Sequence, residues 1–273
     1  MNIPFPSQVN SETFRRRLID TYDPPNELDP HELVEDYEAF TDYIAKNPNA
    51  SSYAVASSIE APRGRIRAWM DNGAMPDAAA AVYEAERKGW LDTDTDTHIL
   101  LTRLVAAVLA GGSIGNDTYS VSFSIDDREH IETLCHDLGV GLRRTKRERE
   151  NSGDELHPKR NQTLLGRVLV ARGASAGAKT HVSSVPSYLF DEQHGAAADA
   201  FLETYLRLRG VSPEDRQHVQ ILERSRTPEY LDSLYRLFDE RLPGEVRRSN
   251  IGLRIPESTY DSRLWLRNVM SDL

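Results

Sequence analysis

Two stretches of the chain decide its fold: Leu104–Ile114 (LVAAVLAGGSI) and Phe201–Gly210 (FLETYLRLRG). Each has the apolar spacing of a helix that ends at a glycine. The pattern after each stretch continues with a strand, a second helix and a further strand: residues 118–125, 127–138 and 141–149 after the first, and residues 218–223, 228–241 and 246–255 after the second. The order helix, strand, helix, strand therefore occurs twice, which indicates an internal duplication. Residues 151–161 are predicted to form a polar loop, and residues 164–172 and 181–185 are predicted to be strands.

The segment that leads into the second stretch points to a known family. Val185–Gly210 (VPSYLFDEQHGAAADAFLETYLRLRG) resembles the lead-in and second signature helix of LAGLIDADG homing endonucleases. The matching residues are Phe201, Leu202, Tyr205, Leu206 and Gly210 in the second helix, and Leu104, Val108, Ala110, Gly112, Ser113 and Ile114 in the first. The resemblance covers about residues 97–255. It implies an α+β fold of duplicated αββαββα type, in which the two helices pack through small residues and the sheets form a saddle across the major groove of DNA.

Both signature helices lack the acid that such an enzyme needs. When Gly112 and Gly210 are aligned with the motif glycine, Gly111 and Arg209 stand where the metal-binding aspartates are expected. Two-metal phosphodiester hydrolysis requires hard oxygen ligands, which neither residue supplies. The resemblance therefore implies a DNA-binding scaffold without the cutting chemistry, and we expect no enzymatic activity, no metal and no cofactor. The alternative is an active endonuclease that uses other acids, of which Asp117 and Asp215 lie beyond the helix ends.

Arg209 has two interpretations at its motif position. Its guanidinium either pairs with a DNA phosphate where the metal once lay, or it is merely solvated. A broader alternative is that the whole match is a chance pair of helices in an ordinary α+β domain.

The region before the first signature helix is predicted to be a helix-turn-helix domain, residues 31–91, which follows an N-terminal extension, residues 1–30. Its recognition helix starts at Pro62, because proline is favoured in a first helical turn. The predicted DNA contacts are Arg63, Arg65 and Arg67 to base edges, and Ser51 and Ser52 to phosphate. Tyr53 and Trp69 are predicted to face the core. The alternative is a three-helix cluster that binds no DNA.

Basic residues recur at corresponding places in the two repeats. Alternation along residues 141–149 (GLRRTKRER) puts Arg143, Arg147 and Arg149 on one face with Thr145. The corresponding place in the second repeat has Arg247, Arg248 and Arg254. We expect these two surfaces to contact DNA phosphates and bases. The alternative is a solvated surface strand, with Glu148 and Glu150 partly cancelling the charge.

Composition limits the remaining possibilities. The formal net charge of −10 opposes DNA binding unless the arginines cluster, and only five of the 33 lysines and arginines are lysines. Cys135 is the single cysteine, which excludes an internal disulfide and a thiolate-rich zinc site. No apolar run approaches the roughly 20 residues that a membrane span requires, and the N-terminus lacks a signal-peptide pattern, so we expect a cytoplasmic protein.

These observations favour a sequence-specific double-stranded DNA-binding protein, with transcriptional regulation as its expected role. The first LAGLIDADG-like repeat is assigned to residues 97–185 and the second to residues 186–273. Because both repeats lie in one chain, the pseudo-twofold axis is internal and a monomer suffices. The alternatives are the endonuclease named above and a protein-interaction module that binds a partner through the acidic N-terminal helices.

Overall fold

The computed structural model describes residues 9–24, 28–124, 128–145, 154–212, 218–242 and 245–256. The expected α+β class is confirmed, because helices occur together with two antiparallel sheets. The chain divides into two compact units. We call residues 11–91 the helical unit, and residues 92–273, to which the first ten residues also belong, the duplicated unit.

The bounds of the helices in the helical unit follow from local sequence. Within the described residues these helices are α1 (Ser11–Ile19), α2 (Pro30–Lys46), α3 (Ser52–Ser58), α4 (Arg63–Asn72) and α5 (Asp77–Arg87). Asp29 caps α2, because its side chain accepts a hydrogen bond from His31 N at 2.8 Å. Ser51 caps α3 in the same way, through Ala54 N at 3.3 Å. Gly73 follows α4 with a φ of 61°, the left-handed conformation that ends many helices.

An aromatic cluster forms much of the core of the helical unit. Tyr37 meets the Trp69 ring edge-on, with the centroids 5.2 Å apart, and Phe40 lies 5.4 Å from the same ring. Trp69 is buried, as predicted. The prediction for Tyr53 is wrong, because its side chain is 70% exposed and Val55 takes the inward position on α3. Seven residues are too few for helical periodicity to identify the buried face.

The duplicated unit repeats one order of elements. The first copy is α6 (Asp96–Ala110), β1 (Ser113–Ile114), β2 (Val121–Ser124), α7 (Arg128–Asp137), β3 (Leu142–Thr145) and β4 (Glu155–Pro158), followed by α8 (Gln162–Ala171). The second copy is α9 (Gly195–Arg209), β5 (Gly210–Val211), β6 (His218–Leu222), α10 (Pro228–Arg241), β7 (Arg247–Ser249) and β8 (Gly252–Pro256). Short 3₁₀ turns occupy part of the segment between the copies: Lys179–His181, Ser187–Phe190 and Glu192–His194.

The two signature helices pack directly against each other. Every residue of α6 from Leu104 to Ala110 is buried, as expected for a helix that is apolar on all sides. The facing helix α9 buries three alanines and the large side chains Phe201 and Tyr205. Alanine lets helix backbones approach closely, and each aromatic ring buries a large apolar surface. The pair therefore forms the centre of the duplicated unit.

Each copy contributes one four-stranded antiparallel sheet. The strand orders are β1-β2-β4-β3 and β5-β6-β8-β7. The copies also agree in register, because Ser113 pairs with Ser122 in the first sheet and Val211 pairs with Gln220 in the second. This agreement extends the duplication from the order of elements to individual residue positions.

The structure differs from the sequence prediction between the two copies. Residues 164–172 were expected to form a strand but lie largely in helix α8, and β4 lies inside the expected loop. Residues 181–185, all described, form no strand. Leu165, Val168 and Leu169 of α8 are buried at helical spacing, but a short apolar run rich in valine and leucine does not distinguish a helix from a strand. The sequence also predicts a final helix at residues 260–271, and these residues lie outside the described part of the chain.

Gly166 lies where α8 closely approaches the turn before β2. An added Cβ would be 1.9 Å from the Tyr119 carbonyl oxygen, whereas a Cβ on Gly64 of α4 would meet nothing within 4 Å. We expect Gly166→Ala to lower the free energy of unfolding by about 1–3 kcal/mol through overpacking. Gly64→Ala is the matched control and should raise it by about 0.5–1 kcal/mol through helix propensity. Urea unfolding of both variants measures the difference, and equal destabilisation would contradict the close approach.

No helix within the described residues is both long enough and apolar enough to cross a membrane.

Candidate nucleic-acid interface

Each sheet of the duplicated unit has one buried face and one opposite face, which we call the outer face. In the second sheet Val219, Ile221, Leu253 and Ile255 are buried against the helices. Residues at alternate positions point the other way. These outer residues, including Gln220, Arg254 and Arg247, are half-buried or exposed. The outer faces are therefore the sheet surfaces from which side chains reach a partner.

Strand register aligns the outer-face side chains in one row across each sheet. The first row is Ser113, Ser122, His157 and Arg143, and the second row is Val211, Gln220, Arg254 and Arg247. Ser122 is only 4% exposed, so it adds little surface to the first outer face. We call these two rows the matched rows. The two rows correspond residue by residue in the order given, because each residue of the first row occupies the position in its copy that its counterpart occupies in the other copy. Each row ends in an arginine on an edge strand, Arg143 on β3 and Arg247 on β7. The arrangement places two equivalent guanidinium groups on the two outer faces.

Both of these arginines are exposed. Within the part of the chain that the structure describes, Arg143 and Arg247 form no ion pair with an acidic side chain. Their donors therefore remain accessible to an acceptor on a ligand. Thr145 is exposed on the same face as Arg143, as predicted from alternation. Arg147 and Arg149, which were predicted to continue that face, lie outside the described residues.

The neighbouring arginines Arg144 and Arg248 point to the other side of their strands. Arg144 forms an ion pair with Asp154. Arg248 Nε lies 2.7 Å from Asp232 Oδ1 of α10, and its Nη2 donates to the Pro228 carbonyl at 3.2 Å. The guanidinium of Arg248 is thus engaged within its own copy, and a DNA contact by Arg248 stays a prediction. Consecutive residues of a strand point to opposite faces, so Arg247 and Arg248 cannot both lie on the outer face.

In the helical unit, some of the predicted DNA contacts are exposed side chains, and others form hydrogen bonds or ion pairs within the unit. Arg63 is exposed and its Nε donates to Ser52 Oγ at 3.5 Å, while Ser51 is exposed and caps α3. Arg67 is exposed, with Nε 3.6 Å from Asp71 Oδ2 on the same helix. Pro62 is the N-cap residue of α4, so the helix starts one residue later than predicted.

Arg65, a predicted DNA contact, forms ion pairs within the helical unit. Its side chain is only 13% exposed and forms ion pairs with Glu32 and Asp36 of α2. These ion pairs join α4 to α2, and a contact of Arg65 with a base edge stays a prediction. Sequence spacing placed it on the exposed side of α4, but the acids that bind it belong to another helix.

Tyr53 is a candidate contact that sequence analysis missed. Its ring is exposed, and it lies in α3 beside Ser52, the hydroxyl that Arg63 reaches. An exposed tyrosine supplies both a flat apolar surface and a hydroxyl group to a ligand. The signal in the sequence was the polar SSYAVASS segment, in which Val55 alone suffices as the buried residue.

A second polar site lies at the carboxyl end of α9, around a buried carboxylate. Arg209 Nε donates to Glu223 Oε1 at 2.9 Å, and Tyr205 donates its hydroxyl proton to the same oxygen at 2.6 Å. Arg226 Nε lies 3.6 Å from the other carboxylate oxygen. Arg209 is thus neither simply solvated nor a free cation. The residues that bind or surround Glu223 come from segments that the sequence analysis did not connect.

Lys179 lies next to this site, because its carbonyl accepts a hydrogen bond from Arg226 Nη1 at 3.1 Å. Burial is the largest influence on its ammonium group and lowers its pKa to about 8; Arg226 and Arg209 act in the same direction, while Glu223 opposes them. Burial also raises the pKa of Tyr230, whose hydroxyl donates to Tyr205, to about 12. We call Lys179, Arg209 and Arg226 around Glu223 the cation cluster.

The acids near the ends of the signature helices are the nearest candidates for metal ligands. Gly111 ends α6 without a side chain, and Asp117 accepts a hydrogen bond from Asn116. Asp215 lies outside the described residues. Among the residues that are described, no group of three or more His, Cys, Asp and Glu side chains is arranged to hold a metal ion. Cys135 is buried, and burial raises the pKa of its thiol to about 12, so it is a poor nucleophile.

Comparisons with known proteins relate the chain to solved structures. No family model matches the chain, and no curated protein matches it. Among solved structures, the chain is similar to the homing endonuclease I-WcaI bound to its DNA recognition sequence, with a TM-score of 0.46 and 12% sequence identity. The match covers 72% of this chain and 89% of that chain.

This finding corrects the expectation that the chain is not an enzyme. The matched structure is that of an endonuclease, which is an enzyme. We therefore do not retain the expectation of absent catalysis.

Proposed function

We propose that the chain is a sequence-specific double-stranded DNA-binding protein that contacts DNA with the outer faces of its two sheets. The observation that carries this proposal is the equivalent position of Arg143 and Arg247 at the ends of the matched rows. The major groove of B-DNA is about 12 Å wide and admits a two-stranded β-ribbon. Arginine binds guanine with two hydrogen bonds, and glutamine binds adenine in the same way. The matched rows supply both side-chain types.

The two outer faces differ in composition, so the two halves of the DNA site are expected to differ. The first row has Ser122 and His157 where the second has Gln220 and Arg254. Glu155 also lies on the first outer face, and a carboxylate accepts a hydrogen bond from the neutral N4 amino group of cytosine, whereas phosphate repels it. We therefore propose a target of two dissimilar half-sites around a pseudo-twofold axis.

The acidic net charge is compatible with this proposal because the charges are segregated. Many of the acids of the helical unit, such as Glu32 and Asp36, are engaged with arginines of the same unit. Association with phosphate depends on the local field at the contact surface, and exposed charges beyond about 8–10 Å are largely screened at physiological salt.

We propose that the helical unit adds a second contact through α3 and α4, with Arg63, Arg67 and Tyr53 as its exposed side chains. A short helix followed by a turn and a helix with arginines near its N-terminus fits the arrangement of helix-turn-helix proteins. We propose further that binding regulates transcription, that one chain suffices because it has both rows, and that the protein acts in the cytoplasm.

Selection of bound fragments from random DNA tests this proposal. We expect enrichment of one site with two unlike halves, and footprinting of that site should show protection on both sides of its centre. Absence of any enriched sequence at low salt would contradict sequence-specific binding. A parallel incubation of the selected DNA with Mg²⁺ detects cleavage, and double-strand cuts within the site would replace transcriptional regulation by endonuclease activity.

A further inference from the structure

The ring of His157, in the first matched row, is held by a side chain from outside its sheet. Gln162, the first residue of α8, places its side-chain amide nitrogen 3.0 Å from His157 Nδ1. The same nitrogen donates to the Val121 carbonyl at 3.0 Å. Val121 begins β2 and His157 lies in β4, so one half-buried amide connects α8 to two neighbouring strands.

The Val121 carbonyl fixes the orientation of the Gln162 amide. A carbonyl oxygen only accepts hydrogen bonds, so the amino group of Gln162, and not its oxygen, must face Val121. That amino group has two protons. The second proton is donated to His157 Nδ1, which accepts it only when Nδ1 carries no proton of its own. The network therefore requires the neutral ring of His157 with its proton on Nε2.

This form of the ring presents a hydrogen-bond donor on the first outer face. The side chain of His157 is 18% exposed, and its Nε2 lies 3.4 Å from Oε2 of Glu155, two residues away on the same face of β4. A carboxylate accepts several hydrogen bonds at once. The first outer face thus places an N–H donor beside a carboxylate acceptor. Arg254, the counterpart of His157 in the second row, only donates and has no tautomer to fix.

We propose that Gln162 is a positioning residue that fixes the tautomer of His157, and that His157 and Glu155 thereby select one G·C base pair in the first half-site. In the major groove guanine O6 is an acceptor and cytosine N4 is a donor, and these two groups are adjacent because they pair with each other. His157 Nε2 donates to the first group and Glu155 accepts from the second. An A·T pair would put the apolar thymine methyl group beside these two polar side chains. The choice of base pair rests on the proposed function, whereas the tautomer does not.

Nitrogen NMR of full-length protein labelled with ¹⁵N-histidine tests the tautomer without DNA. The chain has eight histidines, and His157→Ala assigns the signals of His157. In mildly alkaline buffer, where histidine is ordinarily neutral, we expect Nε2 of His157 to carry the proton. Gln162→Glu should move the proton to Nδ1, because a carboxylate accepts a hydrogen bond from Nδ1–H. Gln162→Met should shift the signals toward the same form, because a thioether has no proton to donate to Nδ1.

Gln193→Glu is the matched control, because it makes the same change at an exposed glutamine in the 3₁₀ turn before α9. It should leave the His157 signals unchanged. Thermal unfolding of each variant checks that the fold persists. A proton on Nδ1 of His157 in the unmodified protein, or a proton that stays on Nε2 in both Gln162 variants, would overturn the proposal.

Affinity for variants of the selected DNA tests the choice of base pair. Gln162→Glu and His157→Ala should both lose the preference for G·C at the same position of the first half-site, by roughly 10- to 100-fold. Both should keep the preferences in the second half-site, as should Gln193→Glu at every position. Unchanged preferences in both variants, or relaxation at an A·T pair instead, would overturn the proposal although the enriched site still supports the proposed function. Absence of any enriched site would contradict the proposed function and the base-pair choice together, while the NMR result on the tautomer would stand.

Discussion

Replacement of both Arg143 and Arg247 by alanine should weaken binding to the selected DNA by two to four orders of magnitude. Each bidentate arginine–guanine contact contributes about 1–3 kcal/mol of discrimination, and about 1.4 kcal/mol corresponds to a tenfold change in affinity. The two side chains occupy equivalent positions in the two copies, so each single variant should lose contacts in one half-site only. Retardation assays with half-site variants of the DNA measure this effect.

The neighbouring arginines provide a matched control. Arg144→Ala and Arg248→Ala remove the same charge from the same strands, but their side chains lie on the opposite side and are bound to Asp154 and Asp232. The double control should change affinity by less than about threefold, because long-range steering is largely screened by salt. Equal losses in both double variants would show that net charge, and not the outer face, controls binding.

The salt dependence of DNA affinity distinguishes arginine contacts to phosphate from arginine contacts to base edges. If Arg143 and Arg247 bind phosphate, the plot of log affinity against log salt should become shallower by about one for each arginine removed. If they bind base edges, the slope should be retained while the preference at one base pair in each half-site is relaxed.

The second large effect concerns the stability of the duplicated unit in acid. His98 is buried beside Arg172, which donates from Nη1 to His98 Nδ1 at 2.6 Å. Burial lowers the pKa of His98 from 6.5 to about 3, and the charges of Arg172 and His194 act in the same direction. The unfolded chain therefore binds a proton near pH 6.5 that the folded chain binds only near pH 3.

Stability should fall as the pH decreases through this window. The expected slope is about 1.4 kcal/mol per pH unit, which accumulates to about 4–5 kcal/mol by pH 3. Above pH 6.5 both states are neutral at this residue and the contribution to the slope disappears. Hydrogen-exchange protection of the α6 amides, corrected for intrinsic exchange, reports this loss within the duplicated unit.

His98→Gln should reduce the acid slope of the α6 protection, because glutamine does not titrate. His136→Gln is the control, because His136 is an exposed histidine at the end of α7. If His98→Gln has the same acid slope as the unmodified chain, His98 is not the titrating group.

Sequence patterns predicted the helices more reliably than the strands. Helix α10 spans Pro228–Arg241, the predicted range, because a threonine cap, a proline in the first turn and a strong apolar stripe all agree. The pairing of the two signature helices was also foreseen from the resemblance. In contrast, β4 has only four residues, ELHP, and its partner strands supply the context that makes it a strand.

The candidate site could be predicted only in part. Alternation identified Arg143 and Thr145 as neighbours on one face, because that rule is local. It could not determine which of Arg247 and Arg248 faces outward without the register to β8. The cation cluster was missed because Lys179, Arg209 and Glu223 come from three separate segments. The Arg65 ion pairs were missed because Glu32 and Asp36 are about thirty residues away in the chain.

The edge position of β3 and β7 has a consequence for the protein without a ligand. An edge strand exposes unpaired backbone groups on which another molecule can add a strand, and charged side chains discourage such additions. Arg143 and Arg144 on β3, and Arg247 and Arg248 on β7, give each edge two adjacent guanidinium groups. The same short arginine pairs should therefore oppose self-association and amyloid-like growth in the free chain.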